Sequence, residues 1–525
     1  MTALVGLDVG TSSTKAIAVA PDGAVIGRAG GEYRVSTPAP GQSEQDPELW
    51  WQAAEAALAE LGVPDVAGIG LSGQMHGLVL LDARLRPLRP AILWNDQRTA
   101  AECEEIERAV GLERLIELTG NRALTGFTAP KLLWVRRHEP DVYARIAHVL
   151  LPKDYVRLRL TGELATDVSD ASGTLLFDVG ARGWSEQMLE LLGLPGEWFP
   201  PALESAAVSG STAAGVPVAA GGGDQAAGAV GVGVVRPGSV SVALGTSGVV
   251  FGVLPELAAV PRGSAHTFCH AVPGTWHAMG VMLSAAGALE WLQRSVVPGT
   301  PIEALLDAAA GWEPGCEGLQ FAPYLAGERT PHADPDARAA FVGLGLRHDT
   351  GALARAVLEG VAYGLRDSLE LLRGLGLRPA SGRLGGGGSR SDLWRRIVAT
   401  VLDLPLEITA TDDAAAFGAA LLGGVAAGTF PDVPAAAVVA PRLHGRIDRG
   451  PQQPRRPAAV RLRAPARHPR RPPGAARRRR PRGDPGGRPH RQRRPDARRR
   501  DHAGGLPRLT PGGQARASRS PASAG

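Results

Sequence analysis

Three glycines run into an acid at Gly221-Gly222-Gly223-Asp224-Gln225, where a strand end meets a helical stretch. An Asp at that place can be simply a helix cap, a position this residue type favours. The glycines point elsewhere, because they let backbone or ligand approach closely where bulkier turn residues would cap as well. A carboxylate so placed can accept a proton from a substrate hydroxyl. Near the N-terminus, Asp8 closes an apolar run, and Gly10-Thr11-Ser12-Ser13 follows with three hydroxyls in four residues. Successive backbone N–H groups and hydroxyls suit phosphate oxygens, which accept from both. Asp8 can hold Mg²⁺ through water, since that ion keeps most of its waters and takes one or two carboxylates. An ordinary hairpin turn is the competing reading. No G-x-x-x-x-G-K-[ST] sequence occurs, so this is not a Walker loop.

Other stretches carry groups that suit a sugar or a nucleoside. Gln74-Met75-His76-Gly77 follows a strand end, and Trp94-Asn95-Asp96-Gln97-Arg98 follows strand-like Ala91-Ile92-Leu93. Sugar sites use Asn, Asp and His hydrogen-bonding groups beside an aromatic face. Either cluster can also be a strand terminus with satisfied polar groups. Gly385 to Gly388, then Ser389-Arg390-Ser391, is a second glycine-rich approach point, either a platform for a base or ribose or a flexible connection. Gly68-Ile69-Gly70-Leu71-Ser72-Gly73 formally matches the dinucleotide fingerprint. It is rejected because apolar Leu78-Val79-Leu80-Leu81 stands where a helix should start.

The elements that must position these residues are legible. Residues 3–9, 15–19 and 24–26, separated by a polar loop and a Pro-Asp-Gly turn, predict an antiparallel meander. Asp46 and Pro47 open a helix with Trp50, Ala53, Ala54, Ala57, Leu58 and Leu61 at helical spacing, and a strand follows at Val66 to Leu71. Strands first, then alternating helix and strand, indicate a three-layer α/β domain. The strand–turn–strand sequence returns: Val242-Ala243-Leu244-Gly245-Thr246-Ser247 echoes Leu7-Asp8-Val9-Gly10-Thr11-Ser12, so two domains begin with the same hairpin, with a boundary near residue 240. Helices are expected at Met282 to Arg294, Thr350 to Leu375 and from Asp392, with a strand at Gly382 to Leu384.

Charge divides the chain. Its net of +5 joins an acidic body, residues 1–441 at −16, to a tail from Arg442 at +21. The tail has 25 Arg, 14 Pro, 11 Gly and no aromatic residue, too little apolar surface to offset chain entropy on folding. Three widely spaced cysteines make neither a disulfide framework nor a metal-ligand pattern, so a reducing cytoplasm is expected. No basic leader and no run of ~18 apolar residues is present, which argues against secretion and membrane insertion.

Taken together, LVGLDVGTSSTKAIAV, SEQDPELWWQA, GLSGQMHG, LRPAILWNDQR, GFTAPKLLWVRRHEP, LLPKDYVRLRLTGE, GGGDQAAGAVGVG, LGTSGVVF, PYLAGERTPH, ARAVLEGVAYGLRD and GGGGSRSDLWRR closely resemble the FGGY carbohydrate kinases, in particular the members that act on D-xylulose. The resemblance implies the fold shared with hexokinase, actin and Hsp70: α/β, two ribonuclease-H-like domains flanking a cleft, here 1–240 and 241–441, followed by the tail at 442–525. It implies transfer of the ATP γ-phosphoryl group to the terminal hydroxyl of D-xylulose, a step of D-xylose catabolism, with ATP and Mg²⁺ as cofactors. Asp224 is then the general base, for which an ordinary Asp pKa suffices. Gln74, Met75, His76, Trp94, Asn95 and Asp96 belong to the sugar site, and Asp8 holds the metal. Gly10, Thr11, Ser12, Ser13 and Lys15 belong to the first phosphate loop, Gly245, Thr246 and Ser247 to the second, and Gly386, Gly387, Gly388 and Ser389 to the adenosine loop.

A homodimer is also expected, with no membrane partner and nucleic acid only through the basic tail. Two departures stand out. Gln225 replaces the Asn common in the family, and the helical sequence that family members carry beyond Asp413 to Ala420 gives way to the tail. That tail reads either as a polyanion-binding arm or as the product of a shifted reading frame, which the DNA around codon 442 decides. A kinase of another sugar or polyol, and a sugar-independent ATPase of the actin type, are the alternative functions.

Overall fold

Small and β-branched residues make Ala3–Val9 (β1), Ser13–Val19 (β2) and Val25–Glu32 (β3) an antiparallel meander. These and the elements below come from a computed structural model that describes residues 2–409, 413–441 and 445–450. Asp46 caps the next helix, its carboxylate accepting from the Glu48 N–H at 3.0 Å, and Pro47 takes the first helical position. That helix, Pro47–Leu61 (α1), buries Trp50, Ala54 and Ala57 in one cluster with Val5, Leu7 and Leu71 of the sheet and stops at Gly62. Val66–Gly73 (β4) returns parallel to β1. Residues 68–73 are therefore strand throughout, as the rejected fingerprint required. Val208–Ser211 (β5) and Pro217–Ala219 (β6) extend the sheet, and Gly222–Gly223 (β7) adds a short parallel segment on β4 before the helix Asp224–Gly231 (α2).

The second half repeats this plan. Its strands are Val240–Leu244 (β8), Gly248–Leu254 (β9), His266–Cys269 (β10), Trp276–Met282 (β11), Gly382–Gly385 (β12), Leu406–Ile408 (β13) and Gly445–Ile447 (β14). One sheet runs β5-β6-β4-β1-β2-β3 and the other β14-β13-β12-β8-β9-β11-β10. The first five pairings along each go antiparallel, parallel, parallel, antiparallel, antiparallel, and the second sheet adds a sixth, antiparallel, between β11 and β10. The repeated hairpin of the sequence is thus the visible part of a repeated sheet. The helix Ala286–Ser295 (α3) starts four residues later than expected, because the strand continues through Met282. Thr350–Gly374 (α4), capped by Asp349, is the spine of the second core.

One element joins the two halves. The helix Ala414–Ala426 (α5) lies across the first sheet and against α2, with Phe417, Leu421 and Leu422 fully buried. A Cβ at Gly6 or Gly70 would stand 1.9 Å from the carbonyl oxygen of Ala416 or Ala419, so only glycine lets the helix settle on the strands. The expected tail is shorter than the break in composition suggests. Gly445–Ile447 is an edge strand on β13, where ladder bonds need no apolar run and Ile447 packs on the second core. Residues 451–525, on which the reading of the arginine-rich tail falls, lie outside the described residues. Among the described residues, no helix is long and apolar enough to cross a membrane, and the three cysteines are unpaired.

Candidate active site

Three parallel strand ends bring two acids to one place. Asp8, Ser72 and Gly222 are in register across β1, β4 and β7, and Val9, Gly73 and Gly223 form the next row. Asp224 is the residue after that row. The helix cap is Gly223, so Asp224 is the first helical residue and not the cap. Gln225 folds back on it, Nε2 to Oδ1 at 3.4 Å. Burial and the neighbouring Asp8 raise the Asp224 carboxyl to about 7, above the ordinary value that the chemistry requires.

Both acids line a cavity of about 420 Å³ whose other wall is the second half: Ala243 and Phe251 of the hairpin, Arg383, and Gly385 to Gly387. Burial pushes the Asp8 carboxyl up, against the pull of the Ser72 hydroxyl and Lys15. Asp8 Oδ1 and Ser72 Oγ are both buried, the hydroxyl acting on the carboxylate without a hydrogen bond of ordinary geometry. Buried oxygens so weakly engaged fit a hydrated divalent cation. Among the described residues no cluster of three or more metal-ligating side chains occurs.

The loop 10–13 is held by its carbonyls. Gly10 O accepts from Tyr33 Oη at 2.7 Å and Gln74 Nε2 at 3.3 Å, and Thr11 O accepts from Gln45 Nε2 at 2.7 Å. Thr11 Oγ1 donates to Gln74 Oε1 at 3.2 Å and accepts from Trp94 Nε1 at 3.0 Å. No acceptor among the described residues takes the Thr11 or Ser12 N–H. In the second loop, Gly245 O and Thr246 O accept from the amides of Ala286 and Ala285, each at 2.8 Å, while Thr246 and Ser247 stay exposed. Gly386 adopts φ +90° with its missing Cβ against the Leu244 backbone. It lines the cavity with Gly387, whereas Gly388 and Ser389 are buried, Ser389 Oγ donating to Gly386 O at 2.7 Å.

Met75 packs under Gly223, where a Cβ would meet its sulfur at 2.9 Å. His76 is held at φ +68°, its Nδ1 2.7 Å from Gly173 O and its ring 4.7 Å from that of Phe127. With a carbonyl as partner, Nδ1 carries the proton and Nε2 is left as an acceptor. Burial lowers the His76 pKa to about 3, so the ring is neutral. The remaining sugar-site candidates separate. Gln74 and Trp94 bond the loop 10–13, and Asn95 is exposed. The Asp96 carboxylate is fully engaged, accepting from Ser43 N at 2.7 Å and from Arg98 Nε and Nη2. Lys15 bonds Asp413 at 3.0 Å, at the start of α5.

Residue-type reasoning missed Gln45, Tyr33, Lys131 and Lys153. Lys131, fully buried, donates to His76 O at 2.9 Å and Gly126 O at 2.7 Å, and burial lowers its pKa to about 7. A signal for the lysines was present. The chain has three Lys among 57 basic residues, and Lys15, Lys131 and Lys153 all stand around this site. A sequence that otherwise uses arginine keeps lysine where a compact point charge on a flexible stem is needed.

The model of the N-terminal domain of the FGGY family of carbohydrate kinases matches residues 3–231, and that of the C-terminal domain matches residues 240–427. The chain belongs to the FGGY family of carbohydrate kinases. It is 47% identical over 437 residues to the xylulose kinase of Escherichia coli, covering 81% of this chain and 90% of that protein. A crystal structure of the xylulose kinase from Rhodospirillum rubrum, 33% identical, superposes with a TM-score of 0.81 over 86% of this chain and 94% of that one. A "xyloylose kinase" from Brucella ovis, 44% identical, gives the same score over 85% and 95%. FGGY membership accounts for the paired hairpins and for the cavity between the two halves.

Proposed function

We propose that this enzyme transfers the γ-phosphoryl group of ATP to the terminal hydroxyl of D-xylulose, with Asp224 as general base, residues 1–240 holding the sugar and residues 241–441 the nucleotide. The observation that carries this reading is the meeting of Asp8 and Asp224 at one strand end, in a cavity closed on its far side by the second Gly-Thr-Ser hairpin and by Gly385 to Gly387. The names of the relatives support the choice of sugar.

Asp224 accepts the hydroxyl proton as bonding to phosphorus acidifies it. The loops 10–13 and 245–247 turn amides and hydroxyls toward the phosphates because their carbonyls are tied behind them. Asp8 would hold Mg²⁺, which when bound would supply charge neutralisation. Neutral His76 offers Nε2 to a sugar hydroxyl, and Met75 sets the floor beneath Gly223. The unpaired cysteines support a cytoplasmic setting.

The test is ADP release against a panel of ketoses and polyols. D-xylulose is expected to give the highest kcat/KM, and Asp224→Ala to lower it by about 10³-fold or more while the fold persists. A better polyol substrate overturns the choice of sugar, and ATP turnover without any sugar dependence overturns the kinase. Near-normal turnover by Asp224→Ala overturns the base.

A further inference from the structure

Beneath the proposed base lies a charged cluster that plays no part in the chemistry above. Lys153, the second residue of the helix Pro152–Thr161, is wholly buried, with its Nζ 2.5 Å from Asp154 Oδ1, 2.9 Å from Asp167 Oδ1 and 3.4 Å from Asp170 Oδ2. All three acids are wholly buried too. Taking charges out of water is costly, and burial with the neighbouring acids raises the Asp170 carboxyl well above its ordinary value; buried charges persist only where they are paired and hydrogen-bonded.

The cluster leads to one backbone amide. Asp167 Oδ2 accepts from Ser169 N at 2.8 Å, Ser169 Oγ at 2.5 Å and Ser205 Oγ at 2.8 Å. Ser169 Oγ in turn accepts from the Gly223 N–H at 3.2 Å. Gly223 is the residue before Asp224 and the last of three consecutive glycines, the residue type with the most backbone freedom to lose. Its strand is only two residues long and pairs with β4 alone. The direction of the Asp224 side chain therefore depends on how firmly this short glycine segment is held.

We propose that Ser169 is a positioning residue for the base: anchored by Asp167, and through Asp167 by Lys153, its hydroxyl fixes the Gly223 amide and so aims Asp224 into the cavity. This rests on the reading of Asp224 as the base. Ser169 does not line the cavity, and its hydroxyl bonds Asp167 and Gly223. Its loss therefore acts on the chemical step, leaving nucleotide binding alone.

The experiment compares Ser169→Ala, Ser169→Thr and Asp224→Ala in the full-length chain by D-xylulose-dependent ADP release, with thermal melting as a check on folding. Ser169→Ala is expected to lower kcat about 10–100-fold, the cost of misplacing a catalytic group by about an ångström, with the ATP KM within about twofold of wild type. Ser169→Thr, which keeps the hydroxyl, recovers most of kcat. Unchanged kcat in Ser169→Ala, a Thr variant as slow as the Ala variant, or a rise in ATP KM that matches the loss of kcat each overturns the inference. If Ser169→Ala does not fold, Ser169→Cys, similar in size with a weak acceptor, is read by the same criteria. An inactive Asp224→Ala beside a normal Ser169→Ala sinks the positioning role alone, whereas an active Asp224→Ala sinks the base itself.

Discussion

The hairpin at 7–13 and the hairpin at 242–248 occupy the same place in two sheets of the same order, yet the neighbours of Asp8 and of its counterpart Ala243 differ. Asp8 is in register with Lys15 on one side and Ser72 on the other. Ala243, its counterpart, is in register with Val249 and Gly385. The first loop is tied down by side chains, Tyr33, Gln45 and Gln74, and the second by backbone amides of residues 285 and 286. A repeated backbone has thus been given two offices. One half carries the ionisable groups of the cavity's chemistry, and the other offers mostly backbone and small side chains against which a nucleotide can lie.

The largest test of that division is Asp8→Asn, which keeps the shape and removes the charge. We expect kcat to fall about 10²–10³-fold, on the scale of losing one group that stabilises transition-state charge, with melting unchanged or slightly raised. A loss of less than tenfold would mean that the asymmetry between Asp8 and Ala243 has no chemical purpose. Next comes the stability cost of the acids. Burial raises the folded Asp224 carboxyl from the ordinary 3.8 to about 7, so it keeps its proton across that range. Folding therefore favours the protonated form, so stability falls as pH rises from about 4 to about 7 and is level above. Each pH unit in that window is worth ~1.4 kcal/mol, and discounting for water in the cavity leaves about 2 kcal/mol. Asp224→Asn should gain that much over wild type at pH 8 in metal-free buffer and almost nothing at pH 4. An equal gain at both would refute the assignment.

Ala243→Asp makes the halves alike. The side chain is exposed at the cavity wall, so the change brings charge without overpacking. One added like charge near the phosphates should raise the ATP KM about tenfold, the equivalent of ~1.4 kcal/mol, with Ala243→Asn as the neutral control. If both variants behave alike, charge is not what separates the two walls.

How much of this was legible follows from the range of each interaction. The meander, the Asp46–Pro47 helix start and the repeated Gly-Thr-Ser turn were readable because capping, turn chemistry and strand alternation are local. The sheet-to-helix contact of α5 was not, since Gly6 and Gly70 look like weak points in a strand until Ala416 and Ala419 are seen above them. Asp8 and Asp224, 216 positions apart, were singled out from local glycine and hydroxyl context, but their meeting requires the β1–β4–β7 register. Asp96 shows the opposite case. An acid in a polar cluster reads as a sugar ligand, and only the structure shows Arg98 and the Ser43 amide engaging it. Gln74 and Trp94 read as sugar contacts for the same reason, and in the structure they bond the Gly10 carbonyl and the Thr11 hydroxyl.

That relocation of Trp94 gives the smallest test of the comparison. Its indole N–H donates to Thr11 Oγ1 at 3.0 Å, and at 39% exposed it is the most accessible of the side chains that fasten the loop. Among the described residues the second loop has no such side-chain partner, its carbonyls being tied by amides. Trp94→Phe keeps the aromatic face and removes only the donor, and a neutral, partly exposed hydrogen bond contributes about 0.5–1.5 kcal/mol. If Trp94 works through the loop, the change should raise the ATP KM about two- to tenfold and leave the KM for the sugar within about twofold. If it is instead a sugar-stacking face, Phe should preserve ATP binding, and Trp94→Ala should raise the sugar KM alone. The pair of variants therefore decides whether the first hairpin's extra fastenings belong to the nucleotide or to the acceptor.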